Sequence, residues 1–232
     1  DDFIDDTRIV SSVAMSVPPG EIVRQVISDV SFEGSRLAAR VVIDPDEPVH
    51  DIFEGDDVAF ALVPERTRLK VQLVSEGNLF LQASLFLREN VDLSVVNPTN
   101  YQGPEGFDVT FIDGVDVDLS GPGRYVLFNP PPGGLFEHRG RLDTPKVTRV
   151  QARHPLVQGL TFADAGISQA TKIQKERGDE VIVAGPKGAP LVFTRRDAEG
   201  GRTFVVLAFD LRRSLLPVSY AFPLFVVNAL NW

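Results

Sequence analysis

Ser75, Glu76, Gly77 and Asn78 lie between two apolar runs, Leu69–Val74 and Leu79–Leu87. Strand–turn–helix junctions of this kind hold phosphates, cofactors and nucleophiles in α/β proteins. A nucleotide site needs several glycines, or Gly-Lys-Ser/Thr, so that backbone N–H groups reach the phosphate. Here Gly77 stands alone and Glu76 repels an anion. A serine nucleophile needs a base within reach and a strained elbow with small neighbours. The G-x-S-x-G pattern is absent, and there are three histidines, His50, His138 and His154. His154 could approach the strand ends, with Asp113 or Asp210 as a third member. A serine-type hydrolase is therefore one alternative, although nothing in the spacing favours it. A second alternative is a small-molecule site along a ligand edge of Ser75, Glu76, Asn78, Asp113, Asn129 and Asp210.

Other chemistry is excluded or weak. The chain has no cysteine, which removes thiol catalysis, disulfides and thiolate metal sites. Asp44, Asp46, Glu47, Asp51, Glu54, Asp56 and Asp57 form an acidic stretch. An EF-hand needs an oxygen ligand where Pro48 stands, so a solvated loop without tight calcium binding is expected. Asn129-Pro130-Pro131-Pro132-Gly133-Gly134 lacks three backbone donors and makes a poor anion nest. It reads as a rigid rim that could serve as a docking surface. No metal and no cofactor is expected.

Two kinds of element surround these residues. Residues 1–64 read as a small β-domain. Ile9–Val17 and Ile22–Val30 are β-branched and flank the Pro18-Pro19-Gly20 turn; Leu37–Ile43 and Val58–Val63 follow after a turn at Phe32–Ser35. Short strands at this spacing predict a thin sandwich. From residue 65 the pattern becomes α/β. Leu69–Val74 reads as a doubly covered parallel strand. Asn78 can cap a helix from Leu79 to about Glu89, with Leu81, Leu85 and Phe86 on one face. Val91–Val96, Phe107–Ile112 and Tyr125–Phe128 read as further strands of βα units. Val181–Ala184, Leu191–Thr194 and Thr203–Phe209 read as late strands, the last two as a hairpin around Arg195–Arg202. Ser214–Trp232 reads as a closing helix, beginning nearer Tyr220 because of Pro217.

The 232 residues are 43% hydrophobic and 24% charged, with a net charge of −9. The first 66 residues carry 15 acids and 5 bases; the remainder carries 17 acids and 18 bases. Neither part has the basic field that nucleic acid requires. No run reaches the ~18 apolar residues of a membrane span, and no signal peptide is expected within these residues. Asp1-Asp2-Phe3 at the start and Trp232 in an apolar pattern at the end read as the limits of a soluble piece cut from a longer protein.

The stretches "DPDEPVHDIFEGDDVAFALVPERTRLKVQLVSEGNLFLQASL", "FDVTFIDG", "YVLFNPPPGG", "HPLVQGL" and "AFPLFVVNALNW" occur in this order. In this they resemble the Bacteroides-aerotolerance-type bacterial membrane proteins with a von Willebrand factor A domain. The resemblance covers the end of an Ig-like β-domain, a partial sandwich, and a flavodoxin-like, mostly parallel class I glutamine-amidotransferase-like domain. It implies an extracytoplasmic, periplasmic module that binds envelope proteins of its own complex and is membrane-anchored through segments outside this chain. The A-domain metal motif D-x-S-x-S is absent. The amidotransferase comparison places Asn129-Pro130-Pro131 at the cysteine elbow and Phe209-Asp210-Leu211-Arg212 at the late F-H-P-E stretch. It thus implies that cysteine, histidine and glutamate are all replaced and that the module is not an enzyme.

Overall fold

The computed structural model describes residues 9–27, 36–43, 53–62, 68–133, 135–162 and 165–232. Two compact units divide the chain, Asp1–Arg66 and Thr67–Trp232.

In the first unit, β1 (Arg36–Arg40) pairs antiparallel with β2 (Val58–Leu62), Arg36 opposite Leu62. Pro18-Pro19-Gly20 is a turn: the Glu21 N–H donates to the Pro18 carbonyl and Gly20 has φ +80. Proline followed by a positive-φ glycine is the type II arrangement. The strands expected over Ile9–Val17 and Ile22–Val30 do not form among the described residues. Alternation makes a strand only when a neighbour takes its hydrogen bonds and a core takes its apolar face. Neither is supplied here, and Ile9, Ile22 and Val26 are more than four-fifths exposed. The expected turn at Phe32–Ser35 and most of the acidic stretch lie outside the described residues.

The second unit is a mixed α/β structure built on one large sheet with few helices. Its chain order is β3 (Leu69–Val74), α1 (Leu79–Phe86), β4 (Val91–Val96), β5 (Val109–Asp113), β6 (Gly123–Phe128), β7 (His138–Asp143), β8 (Arg149–Val150), β9 (Gln169–Ile173), β10 (Glu180–Ala184), β11 (Pro190–Asp197), β12 (Arg202–Leu207) and α2 (Ala221–Asn231). Among the described residues the sheet has eight strands in the order β4-β3-β5-β6-β12-β11-β10-β8. The pairs from β4 to β12 are parallel, and those from β12 to β8 antiparallel. β7 and β9 form a separate antiparallel ribbon.

Alternate residues of each strand feed two cores. Val71, Leu73, Phe111, Val205 and Leu207 pack with Leu81 and Leu85 of α1 and Phe222, Phe225 and Val226 of α2. On the other face Val74, Ile112, Leu127, Phe204 and Val206 are covered by irregular chain: Phe136 and the extended run Val115, Val117, Leu119. The expected βα succession therefore fails after β4, β5 and β6. Pro98, Gly103, Pro104 and Gly106 break any helix before β5. Only residues 114–122 join β5 to β6, short for a crossover containing a helix.

Two local expectations need correction, and a third is narrowed. α1 stops at Phe86, and Phe86 is exposed: it lies 100° round the helix from Leu85, off the buried Leu81–Leu85 line. The closing helix begins at Ala221 with Tyr220 as its N-cap, at the later of the two starts expected, and a 3-10 turn containing Pro217 occupies Leu216–Val218 before it. Arg195 belongs to β11 rather than to the hairpin loop, because the strand runs on to Asp197 opposite Arg202.

Candidate functional site at the carboxyl edge of the parallel strands

Parallel strands end on one side of the sheet, and the first turns after them converge there. Ser75 leaves β3; its Oγ donates to Asp113 Oδ2 at 3.0 Å, at the end of β5, and accepts from the Gly77 N–H at 3.0 Å. Asp113 is 3% exposed. Arg212 Nη2 lies 3.5 Å from the same Oδ2, and its Nε donates to Asp210 Oδ1 at 3.1 Å. Asp210 follows β12 and also accepts from the Arg212 backbone N–H, capping a 3-10 turn. Burial works against the Arg212 charge, but the Asp210 hydrogen bond and the charges of Asp113, Asp210 and Glu76 outweigh it and raise its pKa. Of the six expected edge residues, Asp113 and Asp210 thus pair with one guanidinium, Ser75 joins them through Asp113, and Glu76 adds its charge.

Asn78 is separate: its Oδ1 accepts from the Leu81 N–H at 3.2 Å as the N-cap of α1, a structural duty. Asn129 sits just past β6 with φ +46, a left-handed backbone that few non-glycine residues adopt. Its N–H is bonded to the Leu207 carbonyl, and its Oδ1 accepts from Thr171 Oγ1 at 2.9 Å. The strained turn is held by its neighbours on both sides.

His154 does not approach this edge. β10 runs parallel to β12, and His154 follows β8, which runs against β10; the histidine is therefore at the opposite edge. There its Nδ1 accepts from the Leu156 N–H, its Nε2 lies 3.8 Å from Glu180, and Trp232 packs beside it. No hydrogen bond joins a serine to a histidine among the described residues. Burial lowers the His154 pKa below its ordinary 6.5, with Glu180 opposing. The folded chain therefore binds a proton less readily than the unfolded one. The stabilisation is complete above about pH 6.5 and is lost as pH falls toward the depressed folded value. His154→Gln should flatten the fall in unfolding free energy below that pH in urea titrations; unchanged slopes would count against this reading.

A cleft of about 580 Å³ opens beside Asn129 and Asp210. The Pro130–Pro132 run forms one wall, and the β7–β9 ribbon another through His138, Arg141, Gln169 and Thr171. Beyond the prolines lies a second, more apolar cleft of about 410 Å³ lined by Val115, Val117, Leu119 and Phe136. The ribbon residues were not legible from sequence: His138-Arg139-Gly140-Arg141 is too polar to read as a strand. The polar–apolar alternation of Gln169, Ala170 and Thr171 was the one available signal. Among the described residues no cluster of three or more His, Asp or Glu could hold a metal ion, and no helix is long and apolar enough to cross a membrane.

No protein-family model and no curated protein matches the chain. Solved structures do. Cytoplasmic Protein STM1381 from Salmonella typhimurium LT2 is 10% identical, with a TM-score of 0.53 over 70% of this chain and 98% of that one. Cytoplasmic Protein STM3548 from Salmonella typhimurium is 11% identical, with a TM-score of 0.52 and the same coverage. At these identities the likeness is one of fold. An exo-β-1,4-mannosidase from Opitutaceae bacterium strain TAV5 reaches a TM-score of 0.45 over 35% of its chain, too low to bear on fold or activity.

Proposed function

We propose that this chain is a non-catalytic interaction module of a membrane-anchored bacterial envelope protein. It would be the end of an Ig-like domain followed by a degenerate amidotransferase-like domain of the Bacteroides-aerotolerance type, facing the periplasm and binding other envelope proteins of its complex. The observation that carries the reading is Asn129. It has the backbone strain of a nucleophile elbow, directly after a central parallel strand. Yet its side chain is a carboxamide, two prolines follow, and the chain has no cysteine. A thioester mechanism cannot run without a thiolate. The order β4-β3-β5-β6-β12, in which the first parallel strand lies inside the second, supports the flavodoxin-like reading of the parallel half.

The Ser75 hydroxyl donates its hydrogen bond to a carboxylate already paired with Arg212, an arrangement suited to bracing the sheet edge rather than activating an oxygen. The protein should release no ammonia from glutamine above a buffer blank. Release that disappears in Ser75→Ala or Asn129→Ala would sink the non-catalytic reading. Purification of the membrane-anchored parent from native membranes should bring envelope proteins with it, and deletion of residues 67–232 should lose them.

The cleft of about 580 Å³ favours a second reading, a small-molecule-binding domain. Its volume falls within the range of ligand sites.

A further inference from the structure

The β7–β9 ribbon contains a register shift that bears directly on the cleft. His138 stands opposite Ile173 and Arg141 opposite Thr171. Three steps along β7 therefore match two along β9, so one extra residue is accommodated between His138 and Arg141. Gly140 lies in this stretch with φ +109 and open space where a Cβ would be. In a regular strand residues three apart point to opposite faces. Ile173 and Thr171 share a face, so the bulge puts His138 and Arg141 on that face together. Bulges re-aim side chains in this way. Leu142 and Ala170, on the other face, join the first core, Ala170 also bordering the cleft, while Ile173 is buried in the second core. Both re-aimed residues line the cleft.

Charge in the cleft is one-sided. Arg141 makes no side-chain hydrogen bond or ion pair among the described residues. Arg213, which follows β12 and abuts the ribbon, makes one side-chain hydrogen bond among the described residues, Nη1 to Gln169 Oε1 at 2.8 Å, and has no counter-ion there. The acid lining the cleft, Asp210, is already engaged by Arg212. Asp143 is nearby, 3.4 Å from the Gln169 amide, but does not line the cleft. His138 Nε2 faces the Pro130 carbonyl at 3.1 Å and so carries its proton there. The second unit as a whole is close to neutral, with 17 acids against 18 bases, so the cleft's two arginines are a local concentration of positive charge. Walls of low dielectric focus such a field on a small ligand.

We propose that the cleft binds a small organic anion whose carboxylate or phosphate oxygens accept from Arg141 and Arg213. The carbon skeleton would rest against Pro130–Pro132, and hydroxyl groups would reach Asn129 and Thr171. A guanidinium offers paired donors matched to both oxyanions. The inference rests on the small-molecule reading of the cleft and adds the class of ligand.

The test is calorimetric titration of the 232-residue protein with succinate, citrate, glycerol 3-phosphate and, as a neutral control, xylitol. At least one anion should bind, and more weakly as salt is raised. Arg141→Gln and Arg213→Gln should each weaken that binding about tenfold or more. Arg149→Gln, an exposed change on β8, should leave it unaltered. Both cleft arginines are exposed, and unchanged circular dichroism would confirm that the variants fold. Equal affinity in the Arg141→Gln/Arg213→Gln double variant would overturn the proposal. Binding of xylitol without any anion would overturn the anion class while sparing the small-molecule reading. Silence from all four probes would remove both.

Discussion

Phe225→Ala should lower the melting temperature by about 6–20 °C. Phe225 is fully buried at the centre of the α2 stripe formed with Phe222, Val226, Ala229 and Leu230. Its ring meets Phe162 edge-on at 6.3 Å. Removing a buried phenyl group loses its transfer free energy and leaves a cavity, together ~3–5 kcal/mol. In a domain of this size each kcal/mol moves the midpoint by about 2–4 °C. Asn231→Ala, on the exposed side of the same helix, should shift it by no more than about 2 °C. Small, equal shifts in a differential scanning experiment would mean that α2 is not part of the cooperative core.

Asp179→Ala should destabilise the second unit by ~3–5 kcal/mol in urea denaturation, the cost of stranding a buried charge. Arg195 is 5% exposed, and Asp179 receives both its Nε and its Nη2 at 2.8 Å. The guanidinium also donates to the Leu135 and Gln174 carbonyls and lies over the rings of Phe136, at 5.1 Å, and Phe193, at 5.7 Å. It thus ties two chain segments to β11, the loop that follows the proline wall and the stretch from Gln174 to Asp179. Without Asp179 the remaining counter-charge within reach is Glu176, which is half exposed and screened by water. Glu176→Ala should therefore change stability by ~0–1 kcal/mol. Comparable losses in the two variants would show that the network is shared rather than centred on Asp179.

What could be read from sequence followed the strength of the local signal. Leu69–Val74 and Val91–Val96 form strands over the expected residues because aliphatic residues alternate there with polar ones, Lys70 and Gln72 in the first and Asp92 and Ser94 in the second, which is the period of a strand. The α2 stripe repeats over two turns, and all five expected residues are buried. α1 was too short to fix its own end, and Phe86 looked like part of its face. β7 and β9 are polar and exist only because each takes the other's hydrogen bonds while Leu142 and Ala170 reach the core. Ile9–Val17 shows the converse: β-branched alternation without a partner makes no strand. At the site, Ser75, Asp113 and Asp210 could be placed at strand ends from sequence, but Arg212 as the common partner of the two aspartates could not. Nor could the turn of Arg141 toward the cleft, which depends on one extra residue at a bulge.

The change from parallel to antiparallel pairing at β12 also bears on how the chain assembles. β12 meets β11 across a turn of a few residues, whereas its other neighbour, β6, is far away in sequence: Arg202 stands opposite Gly123. Closing the short turn is a microsecond event, but the parallel contact encloses a long loop whose entropy must be surrendered first. The β11–β12 hairpin can therefore form early and alone. Until the β3–β6 half arrives, the β12 edge that will face β6 offers unpaired N–H and C=O groups to any passing chain. The mixed sheet thus carries a window of aggregation hazard during folding that ends when β6 docks.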